Sequence, residues 1–100
     1  MVKHIIVWTL KPEYDDAEKA AIKQGIKEGL EGLQGKIPGL LNIRVFTEGL
    51  ASSNADLILD STFESESALN GYTVHPEHVA VATGKVRPFV ATRSCFDFEV

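Results

Sequence analysis

The sequence predicts an α+β sandwich in which strands and helices follow one another as β-α-β-β-α-β. Three observations lead there. Four segments, near residues 2–11, 40–49, 56–64 and 90–99, are rich in β-branched and aromatic residues and end at turn formers. A long segment between the first two repeats its apolar residues at helical spacing. A shorter helical stretch, punctuated by Ser65 and Pro76, lies between the last two. A chain of 100 residues holds one core, so residues 1–100 are expected to form a single domain.

The first strand, VKHIIVWTLK, stops before Pro12. His4, Ile6, Trp8 and Leu10 share one face and Ile5, Val7 and Thr9 the other. Both are largely apolar, which marks a central strand covered on both sides. Residues 15–36 read as the main helix. Asp15 is placed as its N-cap, with Glu18 three residues on completing a capping box. Asp16 adds negative charge where the helix dipole favours it. Ile22, Ile26, Leu30 and Leu33 form the apolar stripe. Lys19, Lys23, Lys27, Glu28 and Glu31 fall away from it and are expected in solvent. Gly25, Gly29 and Gly32 suggest close packing of this helix on a sheet. The stretch from Gly35 to Gly39, with Pro38, ends it.

In the second strand, residues 40–49, Leu41, Ile43 and Val45 are expected on one face and Asn42, Arg44 and Phe46 on the other. LASSNA, residues 50–55, is a polar loop. The third strand, residues 56–64, sets Leu57, Leu59, Ser61 and Phe63 against Asp56, Ile58, Asp60 and Thr62. Ser65 caps a short helix running to about Tyr72. His75-Pro76 restarts the chain, with Pro76 suited to the first turn of a helix over about 76–83 and a looser segment to Pro88. In the last strand, residues 90–99, Arg93, Cys95 and Asp97 face one way and Thr92, Ser94, Phe96 and Phe98 the other.

Right-handed crossovers place both helical segments on one face of an antiparallel sheet, the ferredoxin-like arrangement. His4, Ile6, Trp8, Leu57, Leu59 and Phe63 then meet the helix stripe. The opposite face, with Ile5, Val7, Phe46 and Ile58, is left bare. A bare apolar sheet face needs a cover, and the same face of a second copy supplies one, so a homodimer with a sheet-on-sheet core is expected.

Hydrophobic residues make up 44% of the chain and charged residues 24%, values that exclude a disordered tail. No apolar run approaches the ~18 residues of a membrane span, and no export signal is legible. With net charge −4 and no basic cluster, nucleic acid and anionic membranes are not expected partners. The one cysteine, Cys95, has no internal partner, which fits a reducing cytoplasm. No glycine-rich phosphate loop, CxxC pair or acidic metal cluster occurs, so neither cofactor nor metal is expected.

Chemistry centres on the three histidines. His75 and His78 flank Pro76 in Tyr72-Thr-Val-His75-Pro-Glu-His78. In the first turn of a helix, His78 is disfavoured as imidazolium and is available as a proton acceptor, with Tyr72 close enough to orient it or a substrate. His4, Trp8, Leu57 and His75 are candidates for the wall of a ligand pocket. Each also has a structural reading: His78 as a packed or capping residue, His75 as a turn before proline, His4 as a hydrogen-bonded strand residue, and Trp8 as core. Cys95 reads as inert packing, because nothing near it in sequence lowers its pKa. His75 and His78 do not read as a metal pair, since no further ligand accompanies them.

Val2-Lys3-His4-Ile5-Ile6-Val7, Thr62-Phe63-Glu64-Ser65 and Tyr72-x-x-His75-Pro76-x-His78-Val79 resemble the stress-responsive A/B barrel domain (Dabb) family over nearly the whole chain. The resemblance implies a dimeric α/β barrel. One enzymatic branch of the family, the polyketide cyclases similar to olivetolic acid cyclase, performs a cofactor-free aldol cyclisation in a pocket between sheet and helices. Its paired His and Tyr match His78 and Tyr72, and a further pocket histidine matches His4. Another, on the third strand, is replaced by Leu57, which makes the pocket more apolar. The dimeric α+β barrel monooxygenases share the fold, but none of their motifs is present.

Two functions follow. One is a small homodimeric protein that binds an apolar or aromatic ligand, or stabilises partners under stress, without catalysis. The other is a cofactor-independent cyclase or lyase, with His78 as general base, Tyr72 as its partner and His4 in the pocket wall. The first is favoured, because one fold serves many functions. A cavity of about 300 Å3 or more touching His78 and Tyr72 favours the second. Trp8 and Phe63 filling that space would favour the first.

Overall fold

Strict alternation along Val2–Leu10 builds β1, in which every second residue is buried. This computed structural model describes residues 1–100. Helix α1 spans Asp16–Glu31. Its capping box forms as expected: the Glu18 N–H donates to the Asp15 carboxylate at 2.8 Å, and the Asp15 N–H donates to Glu18 at 3.0 Å. The helix stops at Glu31 rather than near residue 36. The Gly32 N–H still reaches Glu28, and the chain then turns through Gly35 and Gly39, both with positive φ. Leu33 and Ile37 nonetheless point into the core from that turn.

The remaining elements are β2 (Leu40–Phe46), β3 (Leu57–Phe63), α2 (Glu66–Val74), α3 (Pro76–Val81) and β4 (Val90–Glu99). The Ser65 hydroxyl accepts the Ala68 N–H at the start of α2. Helix α3 is shorter than the sequence suggests. It passes into a wide π-type turn over Ala82–Val86 and a single 3-10 turn at Arg87–Phe89. The four strands form one antiparallel sheet in the order β2-β3-β1-β4. This is the ferredoxin-like arrangement that the element order predicts. No helix is long and apolar enough to cross a membrane.

The helices lie on one face, over a core that includes Ile6, Trp8, Ile26, Leu30, Leu59 and Phe63. Three side-chain assignments change. Leu41 is exposed, because the β2–β3 register shifts between Leu40 and Asn42 and turns Leu40 inward instead. Lys27 and Glu31 are not free in solvent. The Lys27 ammonium donates to the Val45 carbonyl at 2.8 Å, and the Glu31 carboxylate accepts the Val45 N–H at 2.9 Å. The pair thus satisfies the outer backbone groups of an edge strand and fixes α1 against it. Gly29 serves close approach to α3 rather than to the sheet, since a Cβ there would lie 2.9 Å from Val81 Cγ1.

The other sheet face carries no helix. Ile5, Val7 and Ile58 are half-buried there by their strand neighbours, while Phe46 is 49% and Phe96 69% exposed. Lys3 and Asp60 pair at 2.5 Å on the same face. Strand β4 lies at the sheet edge, and Arg93, Cys95 and Asp97 are exposed there on the face that they share with Trp8, Ile6 and His4.

Gly39 tests the turn that joins α1 to β2. Its φ is +79°, and a Cβ there would lie 2.5 Å from that of Ala68. Gly39→Ala is expected to cost about 2–4 kcal/mol, from the disfavoured φ and the clash together. Gly35 has φ +84° but open space around it, so Gly35→Ala carries only the conformational cost of about 1 kcal/mol. In thermal melts Gly39→Ala should lower Tm by more than about 8 °C and Gly35→Ala by less. Equal shifts would contradict this packing.

Candidate functional site

Proline has no N–H to donate and pushes the residue before it out of the helical region. At His75 the backbone is accordingly extended, with ψ 132°, so α2 ends and α3 begins in a new direction. The His75 ring caps this break, its Nδ1 accepting the Glu77 N–H at 3.1 Å. The bend lays the His78 ring against Tyr72 from the last turn of α2, with ring centroids 4.1 Å apart and planes inclined by 36°. Phe63 of β3 packs on the same tyrosine at 5.0 Å, and His4 of β1 meets it edge-on at 6.0 Å.

Beside this cluster lies a cavity of about 510 Å3 between the sheet and the helical layer. Ile6, Trp8, Leu30, Leu59, Ala82, Val86 and Val90 form its apolar wall. His4, Tyr72, Thr73, His78, Arg87 and Arg93 are the polar ones. The π-type turn after α3 contributes Ala82 and Val86, with the Arg87 N–H bonded back to the Ala82 carbonyl. Such turns recur at functional sites because they widen a helix locally.

Burial sets the state of the two central groups. The Tyr72 hydroxyl is buried without a hydrogen-bond partner. Desolvation pushes its phenol well above the ordinary range, against a weaker opposing pull from Arg93, so Tyr72 is a neutral donor. Desolvation also pushes the His78 imidazole below its ordinary value. The Thr73 backbone favours the charged ring, whereas His4, Arg87 and Arg93 oppose it. The cause is burial, not the helix N-terminus that the sequence suggests. His78 is therefore neutral near pH 7, and its Nδ1 is buried without a partner. Because the folded-state pKa lies below the unfolded one, the stability tied to this group is complete above about pH 6.5 and is lost as pH falls through the folded value.

His4 sits opposite Asp97 in the β1–β4 register. Its Nδ1 donates to the Asp97 carboxylate at 2.5 Å, which fixes the tautomer and leaves Nε2 without a protein partner. The Cys95 thiol donates to the same oxygen at 3.4 Å. Cys95 is exposed rather than packed. Burial of the sulfur and the adjacent Asp97 still raise its pKa, which keeps it a thiol, as the inert reading requires. His4, Cys95 and Asp97 are also the one grouping of metal-ligating types, with ligand atoms within 4.8 Å of one another. In the structure these atoms bond to each other.

Four of the predicted site residues come together: His4, Trp8, Tyr72 and His78. Two do not. Leu57 is a core residue that lines a shallow hollow near Phe46 at the other end of the strand, and Leu59 takes the cavity position instead. His75 faces a surface depression beside Gly39 and serves as the helix cap. Arg87, Arg93 and Asp97 were missed as site residues. Arg93 and Asp97 share the sheet face of Trp8 and His4, a placement that follows only once β1 and β4 are paired in register.

Fold and cavity together define an α+β protein of ferredoxin-like topology with a ligand-sized space between its sheet and its helices. The chain belongs to the stress-responsive A/B barrel domain family, whose sequence model matches residues 2–100. Among solved structures it is similar to a dimeric protein of unknown function and ferredoxin-like fold from Bacteroides fragilis. That protein is 29% identical, with a TM-score of 0.91, over 99% of this chain and 95% of that one. A Dabb family protein from Mesorhizobium loti is 21% identical, with a TM-score of 0.75, over 99% of this chain and 95% of that one. A hydroxynitrile lyase from Passiflora edulis is 16% identical, with a TM-score of 0.71, over 97% and 90%. The last two likenesses are of fold alone. No curated protein matches the sequence.

Proposed function

We propose that residues 1–100 act as one domain that binds a small, largely apolar or aromatic carbonyl compound in the cavity and removes a proton from the carbon beside its carbonyl. One observation carries this reading. A cavity of about 510 Å3 is walled by Tyr72 and His78, each with a buried polar atom that no protein group satisfies. That space exceeds the ~300 Å3 at the lower end of ligand sites. Orphaned buried polar atoms cost about 1–3 kcal/mol each and concentrate where function needs them.

In the proposed step the neutral His78 imidazole takes the proton and the C–H electron pair becomes an enolate. Tyr72 donates to the enolate oxygen, and His4, held by Asp97, offers a second polar contact. Attack of the enolate carbon on another carbonyl of the same molecule forms the new C–C bond of an aldol cyclisation. His78 then returns its proton to the resulting alkoxide, so the step needs no cofactor. Ligand binding without catalysis is the coarser form of the same reading.

Deuterium exchange into phenylacetone in D2O, followed by NMR, tests the step without knowledge of the natural substrate. The wild-type protein should exchange the benzylic protons faster than buffer. His78→Ala should lose at least about 100-fold, the usual contribution of a general base. Tyr72→Phe should lose about tenfold or more while melting no lower than wild type, since its hydroxyl makes no hydrogen bond. Exchange in His78→Ala at the wild-type rate, or none above buffer in the wild type, would refute the assignment.

The proposal includes a homodimer through the bare sheet face. The exposed Phe46 and Phe96, and the dimeric state of the Bacteroides fragilis protein, support it. A cytoplasmic location is part of the reading and is supported by the free thiol of Cys95. Val7→Glu places a charge at the centre of that face. Sedimentation should give a dimer for wild type and a monomer, or an unfolded chain by circular dichroism, for the variant. A folded Val7→Glu protein of unchanged mass would contradict the interface.

A further inference from the structure

The chain carries 14 acidic and 10 basic residues, yet the cavity wall reverses that balance. It includes Arg87 and Arg93 and no Asp or Glu, the Asp97 carboxylate lying outside it and bonded to His4 Nδ1. The two arginines arrive from different elements, Arg87 from the 3-10 turn after α3 and Arg93 from β4 opposite Trp8. Neither is paired with a carboxylate of the protein. The ion pairs of the structure are made by Lys3, His4, Lys27 and Arg44, and the side chain that either guanidinium meets is the uncharged Cys95 thiol beside Arg93. Both remain exposed at the edge of a space whose interior is apolar.

We infer that the substrate is an organic acid whose carboxylate is held by Arg87 and Arg93 while its apolar body fills the space along Trp8, Leu30 and Leu59. This rests on the reading of the cavity as the ligand site and adds the charge of what enters it. A guanidinium presents a planar fork of donors that matches a carboxylate, and two such forks brought by separate elements hold one anion in a fixed orientation. A carboxylate suits the site better than a phosphate. The wall has no lysine and no glycine-rich run of backbone N–H donors to neutralise a second negative charge. Both guanidinium charges also act on His78, and that of Arg93 on Tyr72, so the same field that retains the acid favours the enolate.

Trp8 is the only tryptophan and lines the cavity, so its fluorescence reports occupancy. The wild-type protein is titrated with 4-butylbenzoate and with its uncharged isostere 4-butylbenzamide. The benzoate should bind at least about tenfold more tightly, and added salt should weaken it alone. Arg93→Gln and Arg87→Gln should each bring the benzoate toward the affinity of the amide and leave the amide unchanged. Arg93→Lys should keep part of the preference, because it keeps the charge and loses the fork. Melting curves check that each variant folds. Equal binding of both compounds by wild type, or an undiminished benzoate preference in Arg93→Gln and Arg87→Gln, would overturn the carboxylate assignment and leave the cavity reading standing. Binding of neither compound at millimolar concentration would overturn both.

Discussion

The break between α2 and α3 determines most of what the cavity offers. A continuous helix through residue 76 would carry His78 about 9 Å along the axis from Tyr72 and away from its ring. Pro76 forbids that continuation, His75 caps the new start, and the His78 ring turns back onto Tyr72 at 4.1 Å. The turn that follows α3 then carries Ala82, Val86 and Arg87 to the cavity edge. Gly29 lets α1 approach α3 closely enough to hold this short helix in place. Local backbone chemistry at one dipeptide thus sets the geometry of a site drawn from both layers.

The same geometry sets the chemistry. Water would stabilise an imidazolium and a phenolate, and burial removes it. Desolvation acts on both groups in the direction of neutrality, which gives a base able to accept a proton beside a phenol able to donate one. His4 is handled differently. Its partner Asp97 is half-exposed and bonds Nδ1 directly, which fixes the orientation of that ring. Two histidines in one wall therefore have different environments, a recurring basis for dividing roles among like residues.

The fold was largely legible in the sequence because it rests on short-range rules. Period-two burial, the Asp15–Glu18 box, the Ser65 cap and the Pro76 restart all appear in the structure where those rules put them. The failures come from contacts that only the assembled sheet creates. Leu41 turned outward at a register shift, and Lys27 and Glu31 found the backbone of Val45. In the site, His4, Trp8, Tyr72 and His78 could be collected from β-strand alternation and from one motif. Arg93 and Asp97 could not, because they join the site only through the pairing of the first and last strands, some ninety positions apart in sequence. Leu57, which the family resemblance puts in the pocket wall, lines a different hollow, and Leu59 faces the space.

Everything proposed for the site requires His78 to be a partly buried imidazole that desolvation holds neutral. An NMR titration of its ring carbons, assigned by comparison with His78→Asn, measures this directly. The midpoint should lie below the ordinary 6.5, with the neutral ring prevailing at pH 7. A midpoint at or above 6.5 would mean a solvated or paired histidine and would rule out a desolvated base at this position.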